Sequence, residues 1–181
     1  HLAIVDIVLG VADILPIRGF GYLVPRNATN NSDEILGVIF DSDAVPNQSQ
    51  RLTKLTVMMG GPYWRHRSSF PNEDDVKERA LRALHSQLGL SLLTLTSHLE
   101  NIYARVMTDT IPQYLVGHPQ RMAELKAAIK MHPQWRNRLS LLGYSYGGVG
   151  VNDCIANAMD TCDAICNYEQ NRSPLSDISG L

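Results

Sequence analysis

The densest grouping of residues able to do chemistry lies near the C-terminal end. Gly143-Tyr144-Ser145-Tyr146-Gly147-Gly148-Val149-Gly150 places four glycines in eight residues, directly before an amphipathic stretch that opens at Asn152-Asp153. A strand, a glycine-rich turn and a helix start is how nucleotide-binding folds present backbone N–H groups to a phosphate. Gly147, Gly148 and Gly150 would let backbone approach a ligand where a side chain would collide. Asn152 could also cap the helix, competing for the same N–H groups. The run is not Gly-x-Gly-x-x-Gly. Glu169 stands about 20 residues on, but no second strand precedes it to aim its carboxylate at a ribose. A purely structural turn fits the same residues, so both readings stand at this point.

The other reactive side chains form no recognisable constellation. Cys154, Cys162 and Cys166 crowd one helical stretch, an odd number without a disulfide framework. Cys162 and Cys166 share a helix face, yet no His or further Cys completes a tetrahedral metal site, so they read as structural thiols of a reducing compartment. His85, His98, His118 and His132 pair with no Ser or Cys nucleophile and read as surface or capping groups. Arg65-His66-Arg67 beside Trp64 reads as a solvated basic loop, with anion binding second. Asn27, Asn30, Asn47 and Asn171 open Asn-x-Ser/Thr triplets, which Asn/Ser-rich loops also generate by chance. No catalytic residue and no metal ligand is assigned.

These residues need elements to hold them. Ala3 to Leu9 reads as a strand, followed by Phe20 to Val24, Ile35 to Phe40 and Leu55 to Met59, with polar turns between them, one at Asp41 to Pro46. That spacing predicts an antiparallel meander. Asn72 reads as the N-cap of a helix through Val76, Ala80, Ala83, Leu84 and Leu88, stopped by Gly89. Strand-like stretches follow at Ile102 to Met107 and Ile111 to His118. A second helix spans Gln120 to Met131, with Met122, Leu125, Ala128 and Ile129 on one face. Arg138 to Leu142 reads as a last strand, Asn152 to Tyr168 as a helix with Ile155, Met159, Cys162 and Cys166 on its apolar side, and Glu169 to Leu181 as a mobile tail.

The bulk figures bound the answer. The 181 residues are 44% hydrophobic and 19% charged with a formal net charge of -2. That suits a globular chain and gives no electrostatic reason for a nucleic-acid partner. No apolar run reaches the roughly 20 residues of a membrane-spanning helix. The chain opens on His1 and runs at once into an apolar stretch, without a charged leader or transit-type segment, and so reads as a fragment entering in mid-fold.

Four blocks in order carry a family resemblance. Ser140 to Ile155, containing Gly143-Tyr144-Ser145-Tyr146-Gly147-Gly148-Val149-Gly150-Val151-Asn152-Asp153, resembles the C-terminal flavin-contacting segment of protoporphyrinogen oxidases. Gly19-Phe20-Gly21-Tyr22-Leu23-Val24-Pro25 resembles that family's Gly-Phe-Gly-x-Leu-Val-Pro block. Ile35 to Ser42 with Leu55 to Gly61 resembles its next two strands, and Ile111-Pro112-Gln113-Tyr114 with Gly117-His118 resembles its Ile-Pro-Gln-Tyr-x-x-Gly-His block.

The resemblance implies the C-terminal part of a two-domain FAD-dependent oxidase of mixed α+β and α/β class. An antiparallel substrate-domain sheet with packed helices (residues 1–117) would precede a strand-turn-helix return to the FAD domain (118–168) and a tail (169–181). It implies oxidation of protoporphyrinogen IX to protoporphyrin IX by FAD and oxygen in heme biosynthesis, peripherally at the mitochondrial inner membrane, with the N-terminal half of the chain as a further partner and room for a homodimer. Gly143, Tyr144, Val149, Gly150, Val151 and Asn152 would face FAD, mostly through backbone. Tyr144 departs from the smaller residue that relatives often carry. Leu23, Ile39 and Met58 would line the tetrapyrrole pocket; spacing alone reads them as ordinary core. The family's substrate-anchoring arginine lies outside these blocks, so none is assigned. Two alternatives remain: another flavoprotein of the amine-oxidase type, or a stand-alone fragment without catalysis.

Overall fold

The computed structural model describes residues 1–45 and 51–172, with the side chains of 169–172 left aside. Asn47 and the tail beyond 172 lie outside the described residues. The chain divides into two compact units, His1–Thr110 and Ile111–Leu181.

The first unit is a five-stranded antiparallel sheet backed by helices. Its strands are β1 (Leu2–Leu9), β2 (Gly21–Leu23), β3 (Ile35–Ile39), β4 (Thr53–Gly60) and β5 (Leu99–Met107), in the order β2-β3-β4-β1-β5. The expected meander holds only for β2, β3 and β4. The first strand inserts between β4 and β5, pairing antiparallel with both. Apolar residues on both faces of Leu2–Leu9 suit a central strand with neighbours on each side. Along β1 the alternate residues Ala3, Val5, Ile7 and Leu9 are fully buried, and Val57, Met59 and Ala104 join them from the flanking strands.

Helix α2 (Glu73–Leu88) covers that buried face with Val76, Ala80, Ala83 and Leu84, a stripe at helical spacing. Its start is fixed by a reciprocal cap. The Asn72 carboxamide oxygen accepts from the Asp75 N–H at 2.9 Å, and the Asp75 carboxylate accepts from the Asn72 N–H at 3.3 Å. Gly89 ends the helix in the left-handed region at φ 72°. Two short helices were not anticipated. The segment read as a turn after Ile39 is one helical turn, α1 (Asp41–Ala44), closed by Asp43 and Ala44 N–H groups on the Phe40 carbonyl. Leu92–Ser97 forms α3, capped by the Ser91 hydroxyl on the Thr94 N–H at 3.0 Å.

A single carboxylate joins strand, turn and helix in this unit. Glu34, just before β3, accepts from the indole N–H of the fully buried Trp64 at 2.8 Å and from Arg79 of α2 at 3.1 Å, and it pairs with Arg67. The basic loop read as solvated is thus partly tied down, because Arg67 has this anion within reach. Removing the carboxylate leaves a buried indole donor and two guanidinium groups without their acceptor.

The second unit contains α4 (His118–Met131) and α5 (Val151–Arg172) joined by the glycine-rich segment. Two expected strands are absent. Residues 111–117 and 138–142 form none, since within this unit no described strand offers them a ladder of hydrogen bonds. The start of the expected tail continues α5 to Arg172. Among the described residues, every buried hydrophobic side chain belongs to the first unit. The expected apolar side of α5 lies in the open, with Ile155 54% and Met159 63% exposed and Cys162 and Cys166 also exposed.

Two outcomes follow. Glu34→Ala should lower the unfolding free energy by about 3 kcal/mol, read as a shifted midpoint in a urea titration. Burial pushes the Tyr22 phenol up to about 12, while its hydroxyl donates to the Gln87 side-chain oxygen at 2.8 Å. An unfolded tyrosine titrates near pH 10. The stability this burial contributes is therefore fully present below about pH 10 and is lost as pH rises toward about 12. Tyr22→Phe should flatten that alkaline decline in a pH series of denaturation midpoints.

Candidate functional site

The strand register sorts the expected substrate residues onto one surface. Directly paired residues in antiparallel strands point to the same face. Leu23 pairs with Gly37, Gly37 with Met58, Met58 with Ile4, and Ile4 with Arg105. The adjacent row runs Gly21, Ile39, Thr56, Asp6, Tyr103. Both rows lie opposite the face covered by α2. Leu23, Ile39 and Met58 are therefore not core: Leu23 is 80% exposed, and Ile39 and Met58 are half-buried.

The open face has relief. Gly37 stands between Leu23 and Met58, and a Cβ there would meet the Leu23 side chain at 3.0 Å and the Tyr22 carbonyl at 2.6 Å. Leu23 thus leans over the space that Gly37 vacates. Beside this apolar strip the Thr56 hydroxyl lies 2.9 Å from Asp6 Oδ1 and 2.8 Å from Asp41 Oδ2. One hydroxyl hydrogen serves only one of two carboxylates at a time. At the β5 end stands Arg105. Its pKa is raised above the ordinary guanidinium value, first by the Tyr103 hydroxyl and in smaller part by the charge of Glu73, against desolvation.

The expected cofactor residues sit in the second unit, at the start of α5. The helix begins at Val151, so Asn152 lies within its first turn and does not cap it. Asp153 takes the reciprocal role instead: its carboxylate accepts from the Gly150 N–H at 3.1 Å. Gly148 has φ 139°, and a Cβ there would lie 2.5 Å from the Asp153 side chain, so only glycine fits. Among the described residues the N–H groups of Val149, Val151 and Asn152 have no acceptor. Orphan donors at a helix start, with the positive end of the helix dipole, suit a phosphate or another anion.

The turn is braced from the segment before α4. The Tyr114 hydroxyl donates to the Tyr144 carbonyl at 2.6 Å and accepts from the Gly148 N–H at 2.8 Å. His118 stacks on Tyr114 with ring centroids 4.0 Å apart, and its Nε2 lies 3.0 Å from the Ser145 carbonyl. Asn157 donates to the Gly147 carbonyl at 3.1 Å. The Ile111 to His118 block carries the resemblance without a role for Tyr114, and His118 reads from sequence as a surface or capping group; residues 114–117 are not helical, so their spacing gave no signal of the stack. The sequence reading missed Asp153, Tyr103 and Arg105. A cavity of about 560 Å³ lies in the same unit, lined by Ile129, Leu139, Tyr146, Gly147 and Ile165 among others. Of the six expected cofactor residues, Gly143 alone lines it. Among the described residues no cluster of His, Cys, Asp or Glu could hold a metal ion.

Comparison of the coordinates gives the fold first. The chain matches part of a crystal structure of a candidate protoporphyrinogen oxidase from Exiguobacterium sp. 255-15 with a TM-score of 0.67, at 24% identity, over 91% of this chain and 34% of that one. Sequence similarity points the same way. The chain is 37% identical over 164 residues to a protoporphyrinogen oxidase of Schizosaccharomyces pombe, covering 89% of this chain and 31% of that protein. It is 33% identical over 162 residues to the Homo sapiens protoporphyrinogen oxidase, covering 87% and 32%. The chain is similar to protoporphyrinogen oxidases and spans about a third of the length of the curated relatives it matches. No family model matches it.

Tyr114→Phe keeps the ring stack but removes both hydroxyl bonds. The Gly148 amide should then exchange its hydrogen at least about tenfold faster, as read by hydrogen-exchange mass spectrometry over the 143–150 segment.

Proposed function

We propose that this chain supplies the substrate face and one flavin-contacting turn of an FAD-dependent oxidase that converts protoporphyrinogen IX to protoporphyrin IX with oxygen as acceptor, in heme biosynthesis. The observation that carries the reading is the row Leu23-Gly37-Met58-Ile4, an apolar open strip in which Leu23 leans over Gly37, on a chain similar to enzymes of that name. Apolar side chains and an adaptable Met suit a flat, largely apolar macrocycle.

Residues 1–117 provide the strand-borne pocket wall in this reading, with Leu23, Ile39 and Met58 against the substrate. Residues 118–168 return the chain to the flavin domain. There Gly143, Tyr144, Val149, Gly150, Val151 and Asn152 hold FAD mainly through backbone N–H groups, with the helix dipole of α5 favouring its anionic parts. FAD, when bound, accepts the hydride equivalents and returns them to oxygen. Asp153 and Tyr114 shape the turn. The Tyr144 phenol is exposed and free to stand aside. Among the described residues the second unit has no buried hydrophobic side chain, which supports completion of its core by the N-terminal half that a longer protein would carry.

Localisation follows the same reading, peripheral at the mitochondrial inner membrane. No helix among the described residues is long and apolar enough to cross a membrane. The competing amine-oxidase-type reading lacks a supporting feature of its own, whereas the open apolar strip favours a tetrapyrrole.

The full-length protein decides. It should purify with bound flavin and turn protoporphyrinogen IX into a fluorescent porphyrin. Gly150→Leu should reduce flavin stoichiometry, and an unchanged flavin spectrum would remove the turn from the cofactor site. Met58→Ala should raise KM for the porphyrinogen more than it lowers flavin content; equal losses would mark Met58 as a folding residue.

A further inference from the structure

The apolar strip ends on a cation. Arg105 completes the pairing row that contains Leu23, Gly37, Met58 and Ile4, and it sits on β5, two strands from Met58. At a strand spacing of about 4.8 Å, its Cα lies about 10 Å from that of Met58. That separation sets a charged group at the rim of a flat molecule lying over Met58 and Ile4, not beneath it. The strands place two other charged side chains on this face. Asp6 engages the Thr56 hydroxyl. Lys54 stands four residues from Met58 along β4, about 13 Å away, beside Val8.

Arg105 is also uncommitted. Arg18, Arg67, Arg79 and Arg82 each pair with a carboxylate, whereas among the described residues no salt bridge involves Arg105. Its neighbour on the same face is Tyr103, two residues away, whose hydroxyl is hydrogen-bonded to the guanidinium and is the largest influence on it. Glu73, at the first turn of α2, acts on it only through its charge. A guanidinium fork is matched to a carboxylate, which it binds through two parallel hydrogen bonds. The plainest competing role is to guard an edge strand against pairing with another chain, as charged side chains on sheet edges do.

We propose that Arg105 is a specificity residue that binds a carboxylate side chain at the rim of the porphyrinogen, with Tyr103 positioning it. This rests on the open face being the substrate face. The ligand class is an apolar macrocycle bearing anionic arms, and Arg105 selects for the anion while Leu23, Ile39 and Met58 take the ring.

The test uses the full-length flavin-loaded enzyme and two substrates, protoporphyrinogen IX and its dimethyl ester, which has the same ring and no charge. The readout is the ratio of kcat/KM for the diacid to that for the diester. Arg105→Gln should lower this ratio at least about tenfold, the range of a hydrogen bond to a charged group. Arg105→Glu should lower it further and Arg105→Lys should restore only part of it, since the charge returns without the fork, with flavin content at the wild-type level in all three. An unchanged ratio in Arg105→Gln, or equal losses on both substrates, overturns the assignment and leaves Arg105 an edge guard. A wild-type enzyme that oxidises neither compound removes the substrate reading itself, and this inference with it.

Discussion

Every side chain on the sheet is assigned a face by the register of one strand. β1 is held on both sides, by β4 and by β5, and side chains alternate with a period of two. A slip of one residue would send Ala3, Val5, Ile7 and Leu9 into water and turn Ile4 and Asp6 into the core. The dry face under α2 makes that slip costly, since a buried aliphatic side chain contributes about 1.5–3 kcal/mol. The core thereby also fixes the opposite face. Leu23, Gly37, Met58, Ile4 and Arg105 line up because Ala3, Val5 and Val57 cannot be anywhere else.

The two units use different means of construction. The first is sealed by burial and by the Glu34 carboxylate, which takes Trp64, Arg67 and Arg79 together. The second is shaped by local hydrogen bonds: Tyr114 on two backbone groups of the turn, Asp153 on Gly150, and Asn157 on Gly147. Such bonds define a loop closely but add little net free energy where water competes for them. The turn is well formed although no hydrophobic side chain is buried among the described residues of its unit.

The sequence made most of the first unit legible, and the reason is chemical. Continuous apolar runs rich in β-branched residues gave β1 and β4, and the Asn72 cap with the Gly89 stop gave α2 almost to the residue. Pairing order was not legible, because a strand's composition does not name its partners; hence β1 between β4 and β5 was missed. The expected strand at Arg138 to Leu142 failed for the related reason that a strand exists only with a neighbour. Asp41–Ala44 and Leu92–Ser97 are helices too short for periodicity to register. In the candidate site, the glycines and the Tyr114–His118 block stood out, since few residue types fit such positions. Asp153 was eclipsed by Asn152, the better cap by type but two residues past the cap position at Gly150. Arg105 was invisible until the register put it in line with Met58, 47 positions away along the chain.

The placement of β1 also sets a clock. Its two partners are made late: β4 ends at Gly60, and Leu2 meets Met107 only after roughly a hundred more residues have been joined. At synthesis speeds of about 5–20 residues per second, this largely apolar strand waits some 5–20 seconds with a bare edge. For that interval its N–H and C=O groups are a template for any passing strand, another nascent copy included. Holding β1 between β4 and β5 thus makes the protein's yield in the cell a matter of timing as well as stability, with slow codons between Gly60 and Leu99 lengthening the exposure and early docking of β4 covering one of its two edges.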